Sequence, residues 1–407
     1  MGTRSSRMRE QLSVEEYVDE LLSLVTSDNR VEHVPLTQSL GRVMAEDVVS
    51  AASIPVFDNS AMDGYAVRWS DVLAVPATLR IVGDVPAGSD ADPEAAPGEC
   101  VRIMTGAALP TFADTVVPIE QTQDEGAEVV VLEAPVRQGA HVRKAGEDVG
   151  RGAVVARVGM TITPGVAGAV AAVGVEQVAV RPRPRVSVCV TGDELVRGGS
   201  LRRGQIYESN SVAVGSLLEH LGASVVRTGL VRDRSEQLVE WLDNAALECD
   251  LVVLTGGASV GAYDVVRDVI TAAGGAFRHV RIQPGKPQGW GVWRGTPVVC
   301  LPGNPVSAVV STEIFIRPML DLILGRPAAE WHTAVAGSDW TSPNGRRQVL
   351  PVTLGTDDAG RLVAVPAHAG GSGSHLVTSL AGADGYAMVR EETTAVHAGD
   401  LLSVRWL

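Results

Sequence analysis

Four stretches of the sequence follow an apolar, strand-like run with small and polar residues that suit a charged ligand. They are TGDE at 191–194, RD at 232–233, TGGASVG at 255–261 and PGNP at 302–305. In an open parallel sheet, ligands bind in the crevice at the carboxyl ends of the strands. If the four runs are strands of one sheet, their ends meet at one edge. The sequence therefore predicts a single ligand site there.

Three acidic residues belong to these strand ends: Glu194, Asp233 and Asp264. Carboxylates that lie close together repel each other, and they do not gather around an anionic ligand unless a cation lies between them. We interpret the three as candidate ligands of a divalent cation such as Mg2+. The alternative for each of them is a charge at a helix start or in a solvated turn.

A glycine turn and a lysine are the candidates for binding an anion. Gly256, Gly257 and Gly261 let the backbone approach a phosphate, and the helix that follows would present free N–H groups. No Gly-Lys-Ser/Thr follows, so the turn is not a Walker loop, and glycine turns of this kind are also common packing devices. Lys286 lies between two prolines in QPGKPQGWG, which fix the backbone that carries its ammonium group.

Another polar cluster lies near the beginning of the chain, in VFDNSAMDGYAV at 56–67. Asp58, Asn59, Ser60 and Asp63 lie within six positions of each other, between apolar flanks typical of strands. The segment is either a polar turn between two strands or a site that holds something charged. The residue types alone leave both interpretations open.

The elements around these motifs indicate two kinds of architecture. From about residue 186 onward, strand-like and helix-like segments alternate, which predicts a parallel sheet covered by helices on both faces. The predicted strands are 186–190, 224–231, 250–257 and 296–301, and the predicted helices are 209–222, 236–248, 263–275 and one that starts at 305. Residues 31–140 and 328–407 contain short alternating runs between Pro and Gly turns, which indicates β-rich regions.

Two of the helix starts carry capping residues. Ser13 and Glu16 fit a capping box at the start of an amphipathic helix whose apolar positions run from Val14 to Val25. Asn304 is the candidate N-cap of the helix after the last predicted strand of the α/β region, with Pro305 at its first position.

Composition excludes several classes of protein. The chain has 407 residues and a net charge of −14, which argues against non-specific binding of nucleic acid. An anionic ligand would need local positive charge, helix starts or a bound cation to offset the repulsion from this net negative charge. The four cysteines form no CxxC pair, which indicates reduced, buried thiols in a cytoplasmic protein. No apolar run reaches 18 residues, so we predict no membrane insertion.

The motifs, taken in order along essentially the whole chain, resemble the MoeA/gephyrin E-domain family of molybdopterin molybdenumtransferases. They are DNSAMDGYAV, RIMTGA, GEDVGRGAVV, VTGDEL, the SN pair at 209–210, LTGGASVG with YD, PGKP, LPGNPVSA and GSGSH. The resemblance implies an enzyme that inserts molybdate into adenylylated molybdopterin and releases AMP, with Mg2+ or a similar divalent ion. It also implies an elongated homodimer with composite active sites, in which Asp63 is presented to the active site of the partner.

The resemblance assigns roles to individual residues. The implied catalytic residues are Asp63, Thr105, Asp148, Glu194, Asp233 and Asp264, of which the last three are also the implied metal ligands. The implied substrate-binding residues are Ser60, Ser209, Asn210, Gly256, Gly257, Ser259, Gly261, Lys286, Pro302, Gly303, Asn304, Pro305, Arg346 and Ser374. Arg346 and Ser374 look like the oxyanion-binding pair of the family, and His375 lies beside them without an assigned role.

The expected fold is α/β plus β, and it is multidomain. It has a parallel-sheet α/β molybdopterin-binding domain, β-rich N-terminal domains and a small β-barrel-like C-terminal domain. The expected boundaries are 10–56 for an N-terminal helix and linker segment that packs with 141–181, 57–140 for an inserted β-rich domain, 141–181 for a returning β segment, 182–326 for the α/β domain and 327–407 for the C-terminal domain.

Three positions depart from the family pattern, and two other functions compete with the enzyme. Gln283 stands where many members have Lys, Glu208 replaces a common Asp, and Ala258 replaces a common Val. One rival is an adenylyltransferase that activates molybdopterin, but it needs neither the DNSAMDGYA region nor a terminal β domain. The other is a gephyrin-like scaffold that recruits a receptor, cytoskeletal or cell-division partner through a peptide groove. The acids are intact, so scaffolding would be additional to catalysis.

Overall fold

The computed structural model describes residues 11–256 and 264–407, which form two compact units. Of the described residues, the larger unit contains 11–32, 41–43, 181–256 and 264–407. The smaller unit contains residues 33–40 and 44–180. Both the α/β region and the C-terminal β region of the sequence fall within the larger unit.

The first helix, α1 (Val14–Leu22), packs on the larger unit. Its predicted capping box is confirmed, because Ser13 Oγ accepts from the Glu16 N–H and the Glu16 carboxylate accepts from the Ser13 N–H. Tyr17 packs edge-on against Phe315 with ring centroids 5.0 Å apart, and its hydroxyl donates to the Gly289 carbonyl over 3.1 Å. The helix ends at Leu22 rather than at Val25. The helix belongs to the larger unit, and the expected packing of 10–56 with 141–181 stays a prediction.

The smaller unit is β-rich, as the sequence predicts. Its elements are β1 (Glu32–Pro35), β2 (Val48–Val49), β3 (Asn59–Ser60), β4 (Gly64–Val67), β5 (Ala77–Val85), β6 (Glu99–Ile103), β7 (Thr115–Pro118), β8 (Thr122–Asp124), β9 (Glu128–Val131), β10 (Val142–Arg143), β11 (Val154–Ala156), α2 (Pro164–Ala172) and β12 (Gln177–Val180). Six strands form one sheet in the order β7-β4-β6-β5-β9-β8, in which only the β5–β6 pair is parallel. Strands β1, β2 and β3 pair with β12, β11 and β10.

The α/β part of the larger unit is built on a second six-stranded sheet. Its elements are β13 (Arg185–Thr191), β14 (Leu195–Val196), β15 (Ile206–Tyr207), α3 (Asn210–His220), β16 (Ser224–Val231), α4 (Ser235–Ala245), β17 (Leu251–Thr255), α5 (Val265–Ala272), β18 (Ala276–His279), β19 (Ile282–Gln283), β20 (Pro287–Trp293), β21 (Thr296–Leu301), α6 (Pro305–Ser311) and α7 (Arg317–Leu324). The sheet order is β16-β13-β17-β21-β20-β18, and the first four strands are parallel. The predicted parallel sheet is therefore confirmed.

Two further strands, β20 and β18, extend that sheet and were not predicted. Strand β20 pairs antiparallel with β21, and β18 pairs antiparallel with β20. Glycines in a strand pattern usually argue against a strand, because they have no side chain to pack. Here they are needed, since a Cβ at Gly289 would lie 2.5 Å from the Phe277 ring and one at Gly291 would lie 2.9 Å from Ile270 Cγ2. Large side chains from neighbouring elements thus occupy the space above these two positions.

Both faces of the α/β sheet are buried, which explains the nearly continuous apolar runs of its strands. Val188 and Val253 face one cluster, which includes residues of α3, α6 and α1. Cys189, Leu254 and Cys300 face the other, which includes residues of α4 and α5. All four cysteines are free and buried, as predicted.

The C-terminal part of the larger unit is a closed five-stranded barrel, which confirms the predicted barrel-like domain. Its elements are β22 (His332–Ala336), β23 (Trp340–Thr341), β24 (Arg347–Thr356), β25 (Leu362–Pro366), α8 (Thr378–Ala381), β26 (Gly385–Val389), β27 (Ala395–Val396) and β28 (Leu401–Trp406). Strand β24 pairs with β25, β25 with β22, β22 with β28, β28 with β26, and β26 with β24 again. Strand β19 adds to β24 in parallel. Within the described ranges, no helix is long and apolar enough to cross a membrane.

A buried ion cluster joins the barrel to the α/β helices and supports a stability prediction. The Glu313 side chain is 1% exposed and lies 2.7 Å from Arg317 Nε and 3.0 Å from Arg405 Nη1 on β28. Glu313→Ala would leave two largely buried guanidinium groups, 15% and 13% exposed, without their carboxylate. Such a loss typically costs about 3–5 kcal/mol. We expect urea unfolding to show that loss. The exposed Arg227–Glu248 pair is the control, because Glu248→Ala should cost less than about 1 kcal/mol; equal losses would contradict the prediction.

Candidate functional site

An open cleft of about 820 Å³ lies at the carboxyl edge of the α/β sheet. The chain passes from β13 to β16 on one side and then to β17 on the other, so the sheet has its topological switch point between β13 and β17. Ligands of open α/β sheets bind at such a point. Gly256, at the end of β17, has φ +92°, and a Cβ there would lie 2.6 Å from the Thr191 carbonyl oxygen. Only glycine allows these two strand ends to approach so closely.

The cleft brings together the predicted site residues of the larger unit. It is lined by Glu194, Ser209, Asn210, Asp233, Gly256, Asp264, Lys286, Pro302, Gly303, Asn304, Pro305, Arg346 and Ser374. The remaining predicted residues that the structure describes, Ser60, Asp63, Thr105 and Asp148, belong to the smaller unit. Gly257, Ser259 and Gly261 lie outside the described residues.

Asp264 is the buried acid of the cleft. The predicted helix over 263–275 places Asp264 inside the helix, and this is wrong, because the helix begins at Val265 and Asp264 is its N-cap. Its Oδ1 accepts from the Arg267 N–H over 3.0 Å, while its buried Oδ2 has no hydrogen-bond partner among residues 11–256 and 264–407. Burial raises the pKa of the Asp264 carboxyl, and repulsion from Asp268 and Asp233 adds to this, against the lowering effect of Arg267.

Asp233 and Glu194 complete the acidic side of the cleft. Partial burial raises the pKa of Asp233, and repulsion from Asp193 and Glu194 acts in the same direction, whereas the N–H of Asp193 donates to its carboxylate over 3.4 Å and opposes the shift. The carboxylate of Glu194 folds over Gly192, where an added Cβ would lie 2.7 Å from Glu194 Oε2. Within the described part of the chain, no group of three or more His, Cys, Asp or Glu side chains is arranged to hold a metal ion.

Two cationic residues also line the cleft: Lys286 and Arg346, both half-buried. Neither side chain makes a hydrogen bond or an ion pair with any residue that the structure describes. Their positions follow from strand direction. Because β20 runs antiparallel to β21, its start lies beside the end of β21, at the edge where the parallel strands end. Pairing of β19 with β24 then brings the segment before Arg347 to the same edge.

Buried polar contacts hold the turn that carries Lys286. The amide of Gln288 donates to the Gly285 carbonyl and to Ser311 Oγ, both over 2.7 Å. Gly285 has φ +98°, and a Cβ there would lie 2.9 Å from Ser311 Oγ. The prolines are therefore not the only restraint on this turn, and the contribution of Gln288 was not anticipated from its sequence context.

Asn304 and Asn210 connect the elements around the cleft. Asn304 is the N-cap of α6 and is followed by Pro305, as predicted, but its side chain does not cap the helix. Its amide instead donates to Ser374 Oγ over 2.9 Å, and the Val306 N–H donates to the Ser374 carbonyl over 3.2 Å. The Asn210 amide donates to the Gly303 carbonyl over 2.7 Å. These contacts tie the barrel segment that contains Ser374 to the strand ends.

A small network of amides and a serine was missed by the sequence analysis. The buried Ser372 Oγ accepts from Gln348 over 2.9 Å and from Gln283 over 3.4 Å, and both Ser372 and Gln283 line the cleft. Gln283 was noted only as a departure from the family pattern. Ser372 lies within GSGSH, which was the one available signal, whereas nothing local marks Gln348.

The predicted residues of the smaller unit form a separate constellation. Asp63 lies in the turn between β3 and β4 and is exposed. Its Oδ1 accepts from the Thr105 N–H over 2.7 Å and from the Thr105 hydroxyl over 2.8 Å, and both bonds lower the pKa of the Asp63 carboxyl. Ser60 is buried and its hydroxyl donates to the Met62 carbonyl, while Asp148 is exposed. The VFDNSAMDGYAV segment is thus a turn between strands that presents an ionised carboxylate.

Comparison with family models divides the chain into three matched regions. Residues 12–174 match the MoeA N-terminal region (domains I and II), 187–322 match a probable molybdopterin-binding domain, and 333–406 match the MoeA C-terminal region (domain IV). The cleft lies in the second and third of these regions. The fold and the site therefore define a multidomain protein of the molybdopterin-binding class.

Individual relatives specify the family. The chain is 43% identical over 385 residues to molybdopterin molybdenumtransferase 2 of Mycobacterium tuberculosis H37Rv, which covers 91% of this chain and 94% of that protein. A solved structure of the molybdopterin biosynthesis MoeA protein from Pyrococcus horikoshii OT3 matches with a TM-score of 0.83 and 28% identity, covering 98% of this chain and 100% of that one. Gephyrin of Dictyostelium discoideum is 31% identical over 353 residues, which are 74% of this chain and 49% of gephyrin. The chain belongs to the MoeA family of molybdopterin molybdenumtransferases.

Proposed function

We propose that this protein inserts molybdenum into adenylylated molybdopterin in molybdenum cofactor biosynthesis, consuming molybdate and releasing AMP. The observation that carries this proposal is the charge arrangement of one cleft. Lys286 and Arg346 line it without counterions among the described residues, and Glu194, Asp233 and Asp264 line it as well. Such a cleft suits an oxyanion together with a phosphoanhydride and its cation. Membership of the family supports the same assignment.

The acidic side fits a divalent cation such as Mg2+. Asp264 has a buried carboxylate oxygen without a partner among the described residues, and the pKa values of Asp233 and Asp264 are raised by burial and, to a smaller extent, by repulsion between acids. A bound cation would offset both effects. Mg2+ prefers water and substrate phosphates to an all-protein cage, so the three acids would hold it chiefly together with the ligand. When bound, Mg2+ would neutralise charge on the phosphoanhydride and polarise it for cleavage.

The residues of the chain would bind and orient the substrates. Lys286, Arg346 and Ser374 would hold molybdate beside the dithiolene, which places the reacting atoms close together. Ser209, Asn210, Gly256 and the 302–305 turn form the rest of the wall against which the pterin ligand would lie. A cysteine nucleophile is not expected, since burial raises the pKa of Cys189 to about 12. The free thiols accord with a cytoplasmic reaction.

The proposed active form is a homodimer with composite sites. Asp63, Thr105 and Asp148 are proposed to complete the cleft of the partner subunit. The exposure and ionisation of Asp63 support this role, because its two hydrogen bonds from Thr105 lower the pKa of its carboxyl. An ionised carboxylate at the surface of the smaller unit is free to act on a ligand that the other subunit holds.

Removing the ammonium group of Lys286 should weaken the use of molybdate. A hydrogen bond to a charged group is worth about 1.5–3 kcal/mol, so Lys286→Ala should raise the molybdate concentration for half-maximal turnover about tenfold to a hundredfold. Affinity for adenylylated molybdopterin should stay nearly unchanged, as calorimetry can establish. Lys286→Arg, which keeps the charge, is the matched control and should retain most of the affinity. An unchanged molybdate dependence in Lys286→Ala would remove the assignment.

A further inference from the structure

A basic loop leaves the wall of the cleft on its acidic side. We call residues 197–205 the arginine loop; it connects β14 to β15, which pair in parallel through Leu195 and Ile206. Leu195, Ile206 and Tyr207 all line the cleft, and so does Glu194, which directly precedes β14. The base of the loop is therefore part of the cleft wall.

The arginine loop is a concentration of positive charge in an acidic protein. Its charged residues are Arg197, Arg202 and Arg203, and no acidic residue occurs between Glu194 and Glu208, although the whole chain has a net charge of −14. Arg203 is exposed and makes no hydrogen bond or ion pair with the residues that the structure describes. Arg202 contacts the neutral Gln205 amide over 3.4 Å, and Arg197 lies 3.6 Å from Glu208. Two of the three charges are thus left without a carboxylate partner.

The loop is folded back on itself rather than extended. The Tyr207 hydroxyl donates to the Gly199 carbonyl, and the Arg202 N–H donates to the Gln205 side chain over 3.0 Å. Gly198 and Gly199 have φ of 73° and 77°, which permit the tight turn. Because Tyr207 itself belongs to the cleft wall, its contact with Gly199 holds the loop against that wall.

The acidic residues of the cleft wall repel an anionic ligand. Glu194 and Asp233 both line the cleft, and repulsion between them already accompanies the burial of Asp233. Charges within about 8 Å of each other are only partly screened at physiological ionic strength. Positive charge on a loop that starts from the same wall can offset this repulsion while the ligand approaches.

We propose that the arginine loop is an accessory anion site, in which Arg202 and Arg203 attract and contact the phosphate groups of the nucleotide-bearing ligand of the cleft. This inference rests on the proposed function. It assigns the loop a role in attracting the ligand electrostatically and none in the reaction itself. Arg202 and Arg203 would thus act on the capture of the ligand, while Lys286 and Arg346 act on the oxyanion.

Binding of small nucleotides to the full-length protein tests the proposal. The variant is Arg202→Gln/Arg203→Gln, and the matched control is Arg294→Gln/Arg361→Gln, which removes the same charge at two exposed positions of the same unit outside the cleft lining. Calorimetry with ADP, AMP and adenosine, in EDTA, would be done at low ionic strength and at about 0.15 M. Each exposed charge contact is typically worth up to about fivefold. We therefore expect ADP affinity to fall about three- to tenfold in the variant at low ionic strength, and less at 0.15 M.

The uncharged probe separates a charge effect from a change of shape. Adenosine should bind the variant, the control and the wild type alike, and the control should bind ADP like the wild type. Equal ADP affinity in variant and wild type would overturn the proposal, leaving the loop as a surface for an acidic protein. Absence of ADP and AMP binding to the wild type would overturn it as well. Molybdenum insertion by the wild type is measured separately, so a failure of the loop assignment leaves the proposed function standing.

Discussion

Asp264→Asn should leave the protein folded and lower its rate of AMP release by about a hundredfold or more. The side-chain oxygen that caps α5 through the Arg267 N–H is retained in Asn, so the helix start keeps its hydrogen bond. The charge is lost, and with it the attraction for a cation on the phosphoanhydride. Removal of one group that stabilises transition-state charge typically costs about 10²–10³ in rate.

The same substitution has a predicted effect on stability, with a defined sign. The pKa of Asp264 is raised in the folded state, so the stability that its neutral form provides is fully present below the unfolded pKa and is lost as the pH rises through the folded pKa. Asn imitates the neutral form. We therefore expect Asp264→Asn to unfold at a higher temperature than the wild type at pH 8, with a smaller advantage at pH 4.

Two results would contradict this account of Asp264. If Asp264→Asn cleaves adenylylated molybdopterin at the wild-type rate, the residue is only a helix cap. The second test is calorimetry, in which we expect Mg2+ to strengthen ligand binding to the wild type and not to the variant. Equal strengthening in both proteins would remove Asp264 from the cation site.

Mixing two inactive variants, Asp63→Ala and Asp264→Ala, should restore activity. In a mixed dimer with composite sites, one of the two sites combines an intact cleft with an intact Asp63, whereas the other has lost both groups. Random exchange makes half of the dimers mixed, so roughly a quarter of the wild-type activity is expected. Activity is measured as AMP release after subunit exchange has been established by mass spectrometry.

The control for that experiment is an aspartate that, like Asp63, accepts from the N–H and the hydroxyl of one threonine. Asp92 accepts from the Thr111 N–H over 2.7 Å and from its hydroxyl over 2.6 Å, and it also lies in the smaller unit. Asp92→Ala should keep full activity, which would show that the loss in Asp63→Ala is not a general effect of such a turn. An inactive mixture of exchanged subunits would exclude composite sites.

Local sequence was sufficient to predict the strands and helices whose residues obey simple patterns. Val188 and Cys189 belong to the clusters on opposite faces of the sheet. Because both faces are buried, consecutive residues of the strand are apolar, and such a run can be recognised from the sequence alone. Ser13 and Glu16 likewise form a capping box within four residues. In each case the cause of the structure lies in neighbouring residues.

The sequence failed where distant residues decide the structure. Gly289 breaks the strand-like sequence pattern of β20, but its lack of a side chain makes room for Phe277, a residue on another strand. Asp264 was expected inside its helix, because which residue of a polar run caps a helix depends on the backbone rather than on composition. Gln348 donates to Ser372 across 24 positions, and no motif marks that pair.

Part of the candidate site could also be predicted from the sequence, and part could not. That the strand ends meet follows from the alternation of strands and helices, and the acids Glu194 and Asp233 could be placed on this basis. The position of Lys286 could not, because it depends on the antiparallel direction of β20. Arg346 was assigned by resemblance alone, and the pairing of β19 with β24 supplies its physical reason.

The proposed reaction can be measured in one assay, in which the purified protein is incubated with adenylylated molybdopterin, Mg2+ and molybdate and both AMP and metal-containing cofactor are quantified. The account predicts that both products appear in equal amounts and that cofactor formation depends on molybdate and is lost in Asp264→Asn. Release of AMP without incorporation of molybdenum, or ATP-dependent adenylylation of free molybdopterin in its place, would contradict it.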